Sequence, residues 1–351
     1  MLHRIGAAEA LTRVDEFDAL IDVRSPGEFA LDRLPGALNW PVLDDAQRAL
    51  VGTEYVQVSP LAAQKRGAAL VARNIAMHIE REVMNKPKDW QPLVYCWRGG
   101  KRSGSLAMVL DQIGFRVHLL DGGYQAWRRA VVAALEELPA RFDYRVVCGS
   151  TGSGKSRLLQ VLRALGAQVL DLEALANHRG SVLGLVPGSP QPGQKQFESR
   201  VWDALRRFDA ARPVYVESES KKIGDLRVPL ALIDCMRRAT CLQLALPLDA
   251  RVALLLEDYD FFVTDTEAFC KRLDALRALR GNEVVNAWQG AARAGDTRGV
   301  VHELLVKHYD PIYAQSAQRN FADNAAPRVE LVWDGSADSL ALAARAAIHA
   351  G

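Results

Sequence analysis

Apolar residues in this chain gather in short runs bounded by polar turns, and most of the runs lead into segments with helical spacing. The run FDALIDV, Phe17 to Val23, has the length of a buried strand and breaks into turn chemistry at Pro26 and Gly27. PLVYC at 92–96 is a second such run, followed by a Gly-rich turn and the helix-like GSLAMVLDQIG. RVHLLDGG at 116–123 is a third, followed by YQAWRRAVVAALEEL. Between the first and second runs, the stretch 60–90 carries helical spacing. Strands that alternate with helices predict an α/β layer fold around a parallel sheet.

The pattern restarts after Pro139. Tyr144–Cys148 reads as a strand, GSTGSGKS as a Gly-rich loop and RLLQVLRALG as a helix. Further strands are expected at 167–172, 212–218, 239–246 and 327–333. Between 249 and 322 the strand signals stop and helical segments follow one another, which predicts a helical insertion. The chain is therefore expected to hold two α/β domains, 1–138 and 139–351. No internal repeat or low-complexity tract alters this division.

Composition adds exclusions more than assignments. With 351 residues, 49% hydrophobic and 25% charged, the chain can bury sizeable cores, which excludes wholesale disorder. A net charge of +2 names no partner, but its distribution is uneven. Residues 60–105 hold nine basic and three acidic side chains, a local +6, whereas 246–326 holds nine basic and twelve acidic. A polyanion would lie over the first stretch, the bland alternative being a solvated basic helix face. No run approaches a membrane span, and the start Met1-Leu-His-Arg-Ile-Gly lacks the apolar core of a secretory signal, so a soluble cytoplasmic protein is expected. The five cysteines form no C-x-x-C pair, which argues against a disulfide scaffold or zinc knuckle.

Two motifs carry chemistry. Gly149-Ser150-Thr151-Gly152-Ser153-Gly154-Lys155-Ser156 is a complete G-x-x-x-x-G-K-[ST] between a strand and a helix. Its amides can cradle phosphate, Lys155 can neutralise terminal phosphate charge, and Ser156 can ligate Mg²⁺. A phosphate or diphosphate ligand follows; ATP as its identity does not. An acid at the end of a neighbouring strand would complete such a site, and Asp171 and Glu217 are the candidates, each also readable as a helix cap or surface charge. The second motif is Cys96-Trp-Arg98-Gly-Gly-Lys-Arg102-Ser103, again between strand and helix. Loop amides, the helix N-terminus and the cations Arg98, Lys101 and Arg102 would favour a thiolate, so Cys96 is read as the reactive thiol, with Arg98 and Arg102 as catalytic partners. Cys235, Cys241 and Cys270 are expected to be small core residues, and Cys148 the last buried residue of its strand.

The run Asp22-Val-Arg-Ser-Pro-Gly-Glu28-Phe29, then Leu34-Pro-Gly-Ala-Leu-Asn39, the Cys96 loop, and Leu120-Asp-Gly-Gly-Tyr-Gln-Ala-Trp127 together resemble a rhodanese domain. Fused to GSTGSGKS and carrying the loop CWRGGKRSGS, nearly the whole chain resembles the tRNA 2-selenouridine synthases. The resemblance implies a two-step modification of a wobble uridine that already carries 2-thiouridine. Geranyl diphosphate first S-geranylates the sulfur, and selenium from selenophosphate then displaces the geranyl-thio group, with Cys96 as selenium carrier. No tightly bound cofactor is implied. One departure stands out: the usual rhodanese His before Pro-Gly-Ala is Leu34 here, a scaffold position. The rival readings are an ATP-dependent sulfurtransferase or kinase, and a phosphatase, since Cys96 to Arg102 also satisfies C-x5-R.

Overall fold

The computed structural model describes residues 2–181, 184, 188–260, 264–321 and 328–350, with the backbone alone over 316–321. The chain divides into two units, 1–135 with 193–203, and 136–192 with 204–351. Segment 193–203 was expected in the second domain. It groups with the first because Arg128 forms an ion pair with Glu198, and Trp127 meets Trp202 edge to face with ring centroids 5.3 Å apart.

In the first unit, five parallel strands, β1 (His3–Ile5), β2 (Ala19–Asp22), β3 (Leu38–Asn39), β4 (Pro92–Tyr95) and β5 (His118–Leu120), lie in the order β1-β5-β4-β2-β3. Every residue of β4 is buried, as the unbroken apolar run PLVY requires of a central parallel strand covered on both faces. Helices α1 (Ala7–Thr12), α2 (Pro26–Leu31), α3 (Asp45–Gln57), α4 (Pro60–His78), α5 (Lys101–Ile113) and α6 (Gly123–Glu137) connect and cover the strands. The core gathers Ile21, Trp40, Ile75, Trp90, Val94, Leu106, Leu110 and Leu119. The edge strands β1 and β3 were not expected, being too short to leave a pattern.

In the second unit, β6 (Tyr144–Cys148), β7 (Gln168–Leu170), β8 (Val214–Glu217), β11 (Thr240–Ala245) and β12 (Arg328–Val332) form a parallel sheet in the order β12-β11-β6-β8-β7; β9 (Lys222–Ile223) and β10 (Leu226–Arg227) form a separate antiparallel pair. Helices α7 (Lys155–Ala164), α8 (Leu172–Ala176), α9 (Gln194–Arg206), which starts in the first unit, and α10 (Leu230–Arg238) accompany them. Leu158 and Leu162 of α7 pack with Leu242, Leu244, Trp333 and Leu340 in the core. The predicted strands at 167–172, 212–218, 239–246 and 327–333 each contain an observed one, Pro327 lying outside the described residues.

From α11 (Leu248–Asp258) to Phe321 the described residues hold helices and no strand. Residues 261–263 and 322 of the expected helical insertion lie outside the described residues. This segment has its own core of Phe269, Leu273, Val285, Trp288, Val300 and Leu304. No helix among the described residues is long and apolar enough to cross a membrane.

Candidate functional site

The first chemical centre forms where β4 ends. Cys96 follows the strand and is buried, 3% exposed, and the loop then climbs to Gly100, which precedes α5 without any side-chain cap. The uncapped amides therefore remain available, and Gly100 N–H donates to Cys96 Sγ at 3.3 Å while Ser103 Oγ donates at 3.1 Å. The loop can close this tightly because Gly99 has φ +67° and a Cβ there would fall 2.7 Å from the Leu120 carbonyl oxygen. Tyr124 N–H and Gln125 N–H bind the carbonyls of Cys96 and Trp97 and tie the loop to α6.

Beneath the loop lies a buried polar network that the sequence reading missed. The Arg24 guanidinium is 1% exposed and grips the Asp22 carboxylate through Nε at 3.0 Å and Nη2 at 2.6 Å. It also donates to the Asp32 carbonyl and lies 4.2 Å from the Tyr124 ring centre. Tyr124 in turn donates its hydroxyl to Asp32 at 2.6 Å, and its own acidity is suppressed by burial and by that carboxylate. Asp22 and Arg24 belong to the DVRSPGEF motif, so the motif's charged pair serves as a floor for the thiol loop. Leu34, at the unusual position, is fully buried.

The expected cations divide. Arg102 is bound to Glu28 at 2.7 and 3.3 Å, and Glu28 also meets Arg48 at 3.2 Å. Burial opposes the Glu28 charge, but these arginines outweigh it and hold the carboxyl below its ordinary range. Arg98 is exposed, its Nε donating to Gln125 at 3.2 Å. Ser103, which the sequence placed in the motif without a role, is the side chain that reaches the sulfur.

The second centre follows β6, the middle strand of its sheet. Gly149–Gly154 turns around into α7, and Gly154, φ +85°, is required because a Cβ there would sit 2.1 Å from the Trp333 ring. Lys155 folds back over the loop and donates from Nζ to the Gly149 carbonyl at 2.9 Å, which leaves its charge above the loop amides. Ser156 Oγ donates to the Glu173 carboxylate at 3.1 Å. Cys148 ends β6 as a buried residue; a hydrogen bond with Cys241 and burial push its thiol up, so it stays protonated beside the loop. Cys241 and Cys270 are buried as expected, whereas Cys235 is only half-buried.

Of the two candidate acids, Glu217 ends β8 next to the phosphate loop and is 1% exposed. One of its oxygens accepts from Glu173 N–H at 2.8 Å, and among the described residues the other, Oε2, has no hydrogen-bond partner. Asp171 instead caps α8, accepting from Ala174 N–H at 2.9 Å, and it is Glu173 that reaches Ser156. Glu219, two residues beyond Glu217, hydrogen-bonds Glu173. Lost hydration raises all three glutamates, and neighbouring carboxylates add to it, Asp171 at Glu173, Asp171 with Glu173 and Glu219 at Glu217, and Glu173 at Glu219, which is pushed up to about 8. Among the described residues no group of three or more His, Cys, Asp or Glu is arranged to hold a metal by itself. The Ser156 hydroxyl and Glu173 carboxylate are nonetheless hard oxygen donors of the kind Mg²⁺ takes together with phosphate oxygens and water.

Comparison with known proteins assigns both units. Residues 6–130 match the model of the rhodanese-like domain, and residues 142–280 match that of the tRNA 2-selenouridine synthase AAA domain. The tRNA 2-selenouridine synthase of Alcanivorax borkumensis is 33% identical, the match covering 84% of this chain and 88% of the relative. That of Psychromonas ingrahamii is 35% identical over 86% and 88%, and that of Shewanella halifaxensis 30% over 89% and 92%. A thiol loop on a rhodanese-like sheet, a phosphate loop in a second sheet, and relatives matching across both place this chain in the family of tRNA 2-selenouridine synthases.

Proposed function

We propose that the chain converts wobble 2-thiouridine in tRNA to 2-selenouridine in two steps, one at each loop. In the first, the loop 149–156 holds geranyl diphosphate. The thiocarbonyl sulfur attacks C1 of the geranyl group, the C1–O bond breaks, diphosphate leaves with the electron pair, and the N3 proton of the base is released. Lys155 and the α7 amides stabilise the charge on the departing diphosphate. A Mg²⁺ bound there would be held by Ser156 and Glu173 and would neutralise the same charge. In the second step, with the selenophosphate anion held at the Cys96 loop and Arg98 on the loop's exposed side, its selenium attacks C2 of the base, geranyl thiolate leaves with the C2–S electron pair, and water then cleaves the Se–P bond, releasing phosphate and returning a proton to the base. Alkylation matters because a thioether-like sulfur departs more readily than a thiocarbonyl.

The observation that carries this reading is the pairing in one chain of a buried sulfur receiving two hydrogen bonds and a phosphate loop with its lysine poised above it. The C-x5-R phosphatase alternative needs Arg102 as a phosphate clamp, and that side chain is bound to Glu28. The basic side chains Lys65, Arg73 and Arg81 are exposed on and just beyond α4, where they can meet tRNA phosphates. The test supplies purified protein with thiolated tRNA and geranyl diphosphate, then adds selenophosphate, and reads nucleosides by mass. S-geranyl-thiouridine followed by selenouridine, without nucleotide turnover, is the expected result. Selenouridine made only with ATP hydrolysis would favour an ATP-dependent transferase.

A further inference from the structure

Within the second unit, two charged side chains outside the motif grip the phosphate loop. Arg251 of α11 is 7% exposed, and it donates to the Thr151 carbonyl from Nε at 3.0 Å and from Nη2 at 2.7 Å. The same guanidinium meets the Asp310 carboxylate, Nη2 at 2.6 Å and Nη1 at 3.1 Å. A guanidinium donates and never accepts, and a buried one is tolerated where its charge is paired, so Asp310 is what keeps Arg251 against the loop. Asp310 opens the helix Asp310–Phe321, and Tyr313, on the same face one turn later, hydrogen-bonds the Gly149 backbone and the Gln243 side chain. One helix face therefore reaches the loop twice, directly at Gly149 and through Arg251 at Thr151.

The grip has a direction. In a trans peptide the carbonyl and the following N–H point opposite ways, so a Thr151 carbonyl fixed toward Arg251 turns the Gly152 N–H away from the guanidinium. Among the described residues that N–H has no backbone acceptor. The side of Gly152 where a Cβ would stand is closed by α11, the Arg251 carbonyl oxygen lying 3.4 Å and the Leu255 side chain 2.9 Å from that point. We propose that Arg251 and Asp310 are positioning residues for the diphosphate, together holding the Gly152 amide in the orientation in which it donates to a phosphate oxygen. The inference rests on the reading of loop 149–156 as a diphosphate site and adds what keeps that site in shape. It also gives the helical segment a part in the first step, since both residues belong to it. Position and plain charge act here with opposite signs. Removing Asp310 takes a negative charge from beside an anion site, which by Coulomb attraction alone should tighten anion binding, whereas loss of position should weaken it.

The test measures binding of inorganic diphosphate to the full chain by calorimetry, in the unsubstituted form and in Asp310→Ala, Asp310→Asn, Arg251→Ala and Lys155→Ala, with circular dichroism identifying the variants that fold. Asp310→Ala should bind diphosphate about tenfold more weakly, the loss of one hydrogen bond to a charged group. Asp310→Asn, which keeps one acceptor oxygen for Arg251, should recover part of this and bind about threefold more weakly. Arg251→Ala should lose at least as much as Asp310→Ala, and Lys155→Ala should weaken binding as well. A folded Asp310→Ala that binds diphosphate as tightly as the unsubstituted chain, or more tightly, overturns the proposal while the loop reading stands. The same result in Asp310→Asn decides the matter if the alanine variant does not fold, and a folded Arg251→Ala with undiminished affinity also overturns it. If Lys155→Ala keeps the unsubstituted affinity, or the unsubstituted chain binds no diphosphate, the loop reading itself fails and the proposal with it.

Discussion

Replacing Ser103 by Ala should slow the chemistry of Cys96 more than replacing Arg102 does. The Ser103 hydroxyl is fully buried and lies 3.1 Å from Sγ and 3.3 Å from the Gly100 carbonyl oxygen. It has one proton to donate, and the shorter contact goes to sulfur. A hydrogen bond to a charged acceptor is worth about 1.5–3 kcal/mol, so if the bond serves the thiolate its loss should lower the rate of alkylation by iodoacetamide by roughly 10- to 150-fold at pH 7. Removal of a single buried oxygen leaves the loop's other ties, Gly100 N–H to sulfur and Tyr124 N–H to the Cys96 carbonyl, in place. Arg102→Ala, by contrast, breaks an ion pair with Glu28 and should change the rate less than threefold. The assay is the second-order rate of alkylation, with near-ultraviolet circular dichroism confirming the fold. An unchanged rate in Ser103→Ala would mean that the hydroxyl donates to Gly100 and that the sulfur relies on the amide alone. A large effect confined to Arg102→Ala would restore the cation as the active partner and refute the assignment made from the geometry.

Other outcomes follow from the same structure. Asp22→Ala leaves the Arg24 guanidinium buried without its carboxylate, which should cost about 3–5 kcal/mol and move the unfolding of the first unit to lower urea. Retention of the unsubstituted midpoint would show that Arg24 finds another partner. Glu219, pushed up to about 8, binds a proton more tightly in the folded chain than in the unfolded one, so its contribution to stability is full below the ordinary glutamate range and lost as pH rises through about 8. Glu219→Gln should therefore flatten the fall in melting temperature between pH 6 and pH 8, and an equally steep fall would remove Glu219 as its source. Neutralising Lys65, Arg66 and Arg73 together should weaken tRNA binding and lower the salt slope by about 2, because Arg66 is held by Glu54 at 2.6 Å and releases little. An unchanged slope would leave α4 as a solvated face.

What could be read in advance was local. The strand, glycine turn and helix around Cys96 and Lys155 are contiguous in sequence, and glycines at positions that tolerate no Cβ leave a pattern that one segment reveals. The acids beside the phosphate loop were read at the first carboxylate after each strand, and for β8 this located Glu217. After β7 it stopped two residues early, because Asp171 obeys the capping rule and Glu173 approaches Ser156 only once α8 has formed. Glu219 could have been anticipated from its spacing of two from Glu217 if the extended path continues past the strand. Asp22 and Arg24 are only two residues apart, but their complete burial, the bond from Arg24 to the Asp32 carbonyl and the grouping of 193–203 with the first unit depend on residues brought together by the tertiary fold.

The central claim is that geranylation belongs to the phosphate loop and selenium transfer to Cys96. The most direct measurement gives the Cys96→Ala chain thiolated tRNA, geranyl diphosphate and selenophosphate together and reads the nucleosides by mass. The loop 149–156 is untouched in this variant, so S-geranyl-thiouridine should accumulate and selenouridine should be absent. Selenouridine at the level of the unsubstituted chain, or a folded variant that cannot geranylate, would contradict the division of labour.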